Sequence, residues 1–342
     1  MNAPVNRRIV LAQRPAGLPE PAHFRRDDQP LAELVEGQFL VRNHYLSIDP
    51  AQRGWISAGA NYSDPVSVGD VMRSLGVGVV TASRNERVAV GEYLYGWFGW
   101  QDYCLASDQL VLARVAVANG PLSTGLGLYG ISGLTAYLAL GDIGRPQAGE
   151  TVLVSTAAGA VGSVAGQLAR RAGCRVVGLT GADDKAAQCV AEFGYHAALN
   201  YRAGLSHKRL QALCPQGVDV FFDNTSGDIA DAVWPHMSMR GRIVQCGTAA
   251  VACWDPPPLG PRHERSLLTR RLRHEGFIIF DHVARFPEVI AQLAAWRQQG
   301  TLAFREDIES GLDRAPAALA GLFRGENRGK KSVRILAGDR AL

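Results

Sequence analysis

The sequence predicts an α/β fold, a doubly wound parallel sheet joined to a separate β-rich domain, and three features carry that expectation. A charge-free strand, Thr151–Ser155, runs into a glycine-containing turn and then a helix-spaced apolar pattern. Strand and helix patterns alternate after it, as parallel strands with crossover helices require. Before about residue 124 the texture differs: short apolar runs are cut by Gly, Pro and Asp turns.

Composition narrows the class. The 342 residues suffice for two domains, and 47% hydrophobic with 20% charged residues excludes disorder. The net charge of +4 suits a phosphate-bearing small ligand, and no basic stripe with interleaved aromatics marks a nucleic-acid binder. The basic run Arg262–His274 reads as a solvated or anion-facing segment. Six cysteines (104, 174, 189, 214, 246 and 253) form no CxxC pair, so they read as reduced thiols of a cytoplasmic protein. The opening residues lack the apolar core of a signal peptide. Val115–Gly141 and Thr151–Ala169 carry no charge, but both are punctuated by Gly and read as buried α/β segments, not membrane spans.

Taken in order, Gln38–Val41, Val77–Thr81 and Tyr93–Trp97 are strands of the β-rich part. Thr151–Ser155 is apolar throughout, as expected of a strand covered on both faces. Val161, Ala165, Leu168, Ala169 and Ala172 then fall at helical spacing. Strand Arg175–Leu179 precedes a helix around Lys185–Phe193, and strand Ala197–Asn200 a polar helix ending near Leu213. Val218–Phe222 precedes a helix at Asp228–His236, and Gly241–Cys246 is a fifth strand. Phe277–Phe280, a helix at Phe286–Gln299, a strand near Leu302–Glu309, a helix at Ala315–Phe323 and a last strand at Lys331–Leu336 follow. The expected domains are 1–123, completed by 286–342, and 124–285.

The turn after the first of these parallel strands reads Ala157-Ala158-Gly159-Ala160-Val161-Gly162, a G-x-G-x-x-G dinucleotide fingerprint with Ala in the first position. Gly159 lets the backbone approach a pyrophosphate, and Gly162 lets the helix pack close to the strand. The helix N-terminus presents unpaired N–H groups to the phosphates. The next strand ends Leu179-Thr180-Gly181-Ala182, without the carboxylate that binds the ribose 2′-OH of NAD. Lys185 follows within a turn and Tyr201-Arg202 after the third strand, so the expected cofactor is NADPH. Asp183 and Asp184 are read as first-turn helix residues facing solvent.

Absences restrict the chemistry. Residues 1–123 hold only Cys104, His23 and His44 as soft metal ligands, with no His-Glu pair, so no catalytic metal is expected. There is no Tyr-x-x-x-Lys pair and no G-x-S-x-G elbow. Carbonyl reduction needs a Lewis acid or a placed proton donor. A conjugated alkene needs less, because hydride addition at the β-carbon spreads charge into an enolate that hydrogen-bond donors can hold.

The motifs together give a resemblance. The chain resembles the zinc-independent medium-chain reductases of the leukotriene B4 dehydrogenase, prostaglandin reductase and double-bond (curcumin-type) reductase group. Tyr45-Leu-Ser-Ile-Asp-Pro50 with Arg53-Gly54, Gly133-Leu-Thr-Ala-Tyr137 and Ala157–Gly162 continuing to Gly166-Gln167 carry it. So do Leu199-Asn-Tyr201, Phe222-Asp-Asn-Thr-Ser-Gly227, Gly241-Arg-Ile-Val-Gln-Cys-Gly247, Gly276-Phe277 and Asn327-Arg-Gly-Lys330. The resemblance implies a Rossmann domain beside a GroES-like catalytic domain, with the active site in the cleft between them and the chain in a homodimer. It implies NADPH-dependent reduction of α,β-unsaturated aldehydes and ketones. By position, Lys185 and Tyr201 would hold the 2′-phosphate. Asn224, Cys246-Gly247 and Phe277 would flank the ribose and nicotinamide, and Asn327 would reach in from the C-terminal segment. Tyr62 would line the substrate side. His282 stands where some members carry a substrate-contacting Tyr, and Ile131-Ser132 replaces the family's Met-Pro. A quinone oxidoreductase of the same fold and a non-catalytic NADPH-binding protein are the alternatives. The expected partner is a small electrophilic substrate, with no nucleic acid and no membrane.

Overall fold

The computed structural model describes residues 5–59, 62–251, 253–254 and 256–336. Chain contacts divide it into one unit of Met1–Gly130 with Glu306–Leu342 and a second of Ile131–Arg305.

The first unit begins with β1 (Val5–Leu11) and β2 (Phe24–Pro30), an antiparallel pair. β3 (Phe39–Ser47) is buried at its last five residues, which is why its sequence loses the polar alternation of a one-faced strand. The helical turn α1 (Ala51–Trp55) follows Pro50, and β4 (Gly76–Ser83), β5 (Tyr93–Gly96), β6 (Tyr103–Ala106) and β7 (Val111–Arg114) complete this stretch.

The second unit alternates helix and strand. α2 (Ile131–Ala139) leads to β8 (Thr151–Ser155), α3 (Ala160–Arg171), β9 (Arg175–Thr180), α4 (Asp183–Ala191) and β10 (Ala197–Asn200). α5 (His207–Leu213), β11 (Val218–Asp223), α6 (Gly227–Val233), β12 (Met237–Gln245), α7 (Glu264–Arg270), β13 (Arg273–Gly276) and α8 (Phe286–Gln298) follow. The six strands form one parallel sheet in the order β10-β9-β8-β11-β12-β13. From β8 the chain first winds one way and then resumes on the other side at β11. The strand order therefore reverses between these two, where an open α/β sheet leaves a crevice at its carboxyl edge. β8 is buried at all five residues, as its charge-free sequence requires.

The chain then returns to the first unit through β14 (Glu306–Ser310), α9 (Ala315–Arg324) and β15 (Lys330–Arg334). Its seven-stranded sheet runs β14-β15-β3-β4-β5-β7, with β6 also on β3. Leu46, Ile48, Trp55, Trp100, Leu319 and Val333 share its core.

The α/β class holds, with three local differences. Phe277–Phe280 is not a strand: the sixth strand is β13, and Ile279–Arg285 is a 3-10 segment. Arg262–His274 is largely exposed, as read, but it is regular structure: it contains α7 and enters β13. Both strand faces of β13 are exposed at the sheet edge, so no apolar alternation marked it. The domain division also falls later than 123 and 285. α8 buries Phe286, Val289 and Leu293, and its Trp296 ring lies 6.0 Å from Tyr137 of α2, which keeps it in the second unit. Among the described residues no helix is long and apolar enough to cross a membrane.

Candidate active site

The fingerprint turn is held by backbone hydrogen bonds on both sides. Ala157 N donates to Leu179 O at 3.0 Å, and Gly159 N closes the turn on Thr156 O at 2.8 Å. Gly159 is the extended N-cap of α3, so the amides of Ala160, Val161 and Gly162 open the helix. A Cβ on Gly162 would lie 2.4 Å from Thr156 O and 2.8 Å from Ala157 Cα. Helix and strand thus approach to a distance that admits no side chain. The left-handed residue of the turn is Thr156, with φ of 51°, an uncommon place for a β-branched side chain. Ala157, which stands in place of the first glycine, is fully buried with its N–H paired, so this substitution is absorbed inside the fold while Gly159 and Gly162 keep the close backbone approach a pyrophosphate needs.

Next along the edge, Thr180 is buried and donates to Ala182 O at 3.0 Å. A Cβ on Gly181 would meet Tyr201 Oη at 3.1 Å and Arg202 Nε at 3.5 Å. Lys185 lies in the first turn of α4. Asp183 and Asp184 are exposed, as read from the sequence, but Asp183 is also tethered: its carboxylate accepts from Asn200 Nδ2 at 3.1 Å. Small residues and cationic or phenolic groups surround Gly181, an arrangement that fits a 2′-phosphate.

On the other side of the strand-order reversal, buried Asp223 organises the end of β11. Its carboxylate accepts from Ser155 Oγ (3.1 Å), Thr225 N and Oγ1 (2.8 Å each) and Ser226 N (3.0 Å). Ser226 is thereby held at φ 59°, ψ −163°, a conformation that glycine normally occupies. Asn224 donates through Nδ2 to Ser155 O and through N to Ser155 Oγ, both at 2.8 Å. Cys246 N donates to Asp223 O at 2.8 Å, and Gly247 packs on the Asn224 backbone. Phe277 N donates to Gln245 O at 3.0 Å, so Phe277 emerges beside Cys246. Burial, reinforced by Asp223, pushes the Cys246 thiol well above its usual pKa, so it is no thiolate nucleophile.

His282 stacks on Phe277, with ring centroids 4.8 Å apart and planes within 10°. The second unit therefore brings Ala158–Gly162, Thr180, Gly181, Tyr201, Asn224, Cys246, Gly247, Phe277 and His282 to its carboxyl edge, with Lys185 on the adjoining helix. Tyr62 and Asn327 belong to the first unit. Tyr62 Oη accepts from the buried Trp55 indole at 2.9 Å, and desolvation raises its pKa above the ordinary tyrosine value. Asn327 Nδ2 donates to Gly329 O at 2.8 Å in the turn before β15. Asp223 was not among the residues the sequence singled out for the site, whereas Arg202 was named only beside Tyr201 as part of the NADPH expectation. Asp223 stands inside the quoted Phe222–Gly227 motif, and its hidden role is to shape that loop. Among the described residues no group of three His, Cys, Asp or Glu side chains could hold a metal ion.

Comparison with known proteins places this geometry. Residues 7–113 match the family model for the N-terminal domain of oxidoreductases, and residues 160–295 match that of the zinc-binding dehydrogenases. The chain is 38% identical to the NADPH-dependent curcumin reductase of Escherichia coli (strain K12) over 342 residues, 98% of each protein. It is 32% identical to a 2-alkenal reductase (NADP(+)-dependent) of Nicotiana tabacum over 335 residues, covering 96% of this chain and 97% of that one. The crystal structure of CurA from Vibrio vulnificus in complex with NADPH superposes with a TM-score of 0.90 at 35% identity, over 97% of this chain and all of the other.

Proposed function

The chain belongs to the zinc-independent medium-chain dehydrogenases/reductases, and from that premise we propose that it reduces the C=C bond of α,β-unsaturated aldehydes and ketones. It is an NADP-dependent oxidoreductase. The observation that carries the substrate class is the full-length kinship with reductases of curcumin and of 2-alkenals. The carboxyl edge of the second unit supports it.

Bound NADPH supplies the hydride. The amides at Gly159–Gly162 would hold the pyrophosphate, and Gly181, Lys185 and Tyr201 the 2′-phosphate. Asn224, fixed by Ser155, and the Cys246-Gly247 backbone would orient the ribose and nicotinamide, with Phe277 as an apolar wall and Asn327 as a contact from the C-terminal segment. Hydride adds to the substrate β-carbon, and the displaced π pair moves toward the carbonyl oxygen as an enolate. A proton from solvent then completes the α-carbon. Donors to the enolate oxygen lower that barrier. Tyr62 and His282 are the two side chains proposed for it. The Tyr62 phenol, whose pKa is raised further above its ordinary value by desolvation, is protonated at neutral pH, so it donates rather than repels. Reaction with NADPH deuterated at the transferred position tests the reading: the label belongs on the β-carbon of a saturated aldehyde or ketone. Label on a carbinol carbon would show carbonyl reduction and refute it.

A homodimer completes the proposal. Edge strand β13 is exposed at all four residues, and Met239, Leu259 and Leu268 are exposed in the same part of the chain. Light scattering showing a monomer at micromolar concentration would remove this element.

A further inference from the structure

The geometry points to Arg202 as the residue that selects the 2′-phosphate of NADPH, with Asn200 restraining Asp183, an acid of the adjoining helix turn that opposes it. The inference rests on the NADPH reading above and gives Arg202 and Asn200 distinct roles in it.

β9 and β10 are parallel, with Asn200 opposite Thr180. Gly181 and the Tyr201-Arg202 pair therefore leave the sheet side by side at its carboxyl edge, where such sheets take their ligands. The distances of 3.1 Å to Tyr201 Oη and 3.5 Å to Arg202 Nε from a Cβ placed on Gly181 show two donors converging over the residue that lacks a side chain. A planar guanidinium matches a phosphate dianion through two parallel N–H bonds, which an ammonium such as Lys185 cannot do. Glycine at 181 places no side chain between those two donors.

Asp183 opens α4 two residues beyond this point, and an unrestrained carboxylate there repels a dianion and favours a ribose hydroxyl instead. Asn200 handles both problems with one amide. Its Oδ1 accepts from Arg202 N at 3.0 Å, fixing the start of the arginine, while its Nδ2 donates to Asp183 Oδ1 at 3.1 Å. The acid is thus engaged by a neutral donor, and the amide has both sides satisfied.

Titration calorimetry of the full chain with adenosine 2′,5′-bisphosphate and with 5′-AMP isolates the 2′-phosphate without turnover. Arg202→Met is expected to weaken the bisphosphate roughly 10- to 100-fold, the value of a charge-assisted hydrogen bond, and to leave 5′-AMP unchanged. Arg202→Lys, which keeps the charge and loses the fork, is expected to fall between, and it serves if the Met variant does not fold. Asn200→Ala is expected to weaken the bisphosphate, with Asp183→Asn added on top recovering most of the loss. Retained bisphosphate affinity in the Arg202 variants, or a parallel loss for both ligands, overturns the assignment. Failure of Asp183→Asn to recover Asn200→Ala overturns the restraint by Asn200. A wild-type chain that does not prefer the bisphosphate would instead sink the NADPH reading, and this inference with it.

Discussion

Lys330 Nζ lies 2.5 Å from Asp49 Oδ1, and the two side chains are only 2% and 8% exposed. The same ammonium donates to Ser47 Oγ at 2.6 Å and Ile48 O at 3.3 Å, and Ser47 Oγ donates to the other Asp49 oxygen. Two motifs 281 residues apart, one ending β3 and one opening β15, are thereby locked together in the first unit.

Removing one member of such a pair strands a buried charge. Lys330→Met alone is expected to cost about 3–5 kcal/mol in denaturant unfolding, and Lys330→Met with Asp49→Leu to recover much of it. A single variant as stable as wild type would show that the pair carries no desolvated charge.

The two fingerprint glycines are expected to differ. A Cβ at Gly162 meets backbone at 2.4 Å, whereas at Gly159 the nearest atom is 3.0 Å away. Gly162→Ala should therefore shift helix against strand, costing about 1–3 kcal/mol and most of the NADPH affinity. Gly159→Ala should lose affinity with little change in thermal midpoint. Equal stability losses would contradict the packing argument.

Tyr62→Phe is expected to lower kcat about 100-fold with NADPH binding unchanged, as for loss of one oxyanion donor. The neutral phenol is the donating form and burial raises its pKa, so donation persists as pH rises and is lost only above pH ~10. For His282, the Phe variant keeps the stack on Phe277 and the Gln variant keeps a donor. Activity retained by Phe and lost by Gln would assign His282 to packing alone.

Cysteine chemistry gives an independent check. Burial raises the Cys246 thiol, while Cys253 is exposed. Brief treatment with an alkylating agent should modify Cys253 and spare Cys246, read by peptide mass spectrometry. Rapid loss of Cys246 would mean that the loop around Asp223 is open.

What was legible in the sequence was whatever repeats locally. β8, its turn and α3 were readable because a charge-free strand, glycine spacing and helical periodicity all fall within about twenty residues. β13 was not, since Arg273–Gly276 faces solvent on both sides and has no apolar pattern. The cofactor residues were legible as motif positions, but their physical roles were not. Nothing local shows that Asp223 holds Ser226 in a glycine-like conformation, or that Arg202 arrives at Gly181. Those depend on the pairing of β8 with β11 and of β9 with β10. The Lys330–Asp49 pair was hidden for the same reason, as two separate motifs whose partnership only the fold supplies.

The most direct test of the central claim is NADPH oxidation with a 2-alkenal, an aryl enone, a benzoquinone and a saturated ketone, each product identified. Turnover of the alkenal or the enone is expected, with the C=C bond reduced and the carbonyl intact. Turnover of the quinone alone, or tight NADPH binding without turnover of any of the four, would contradict it.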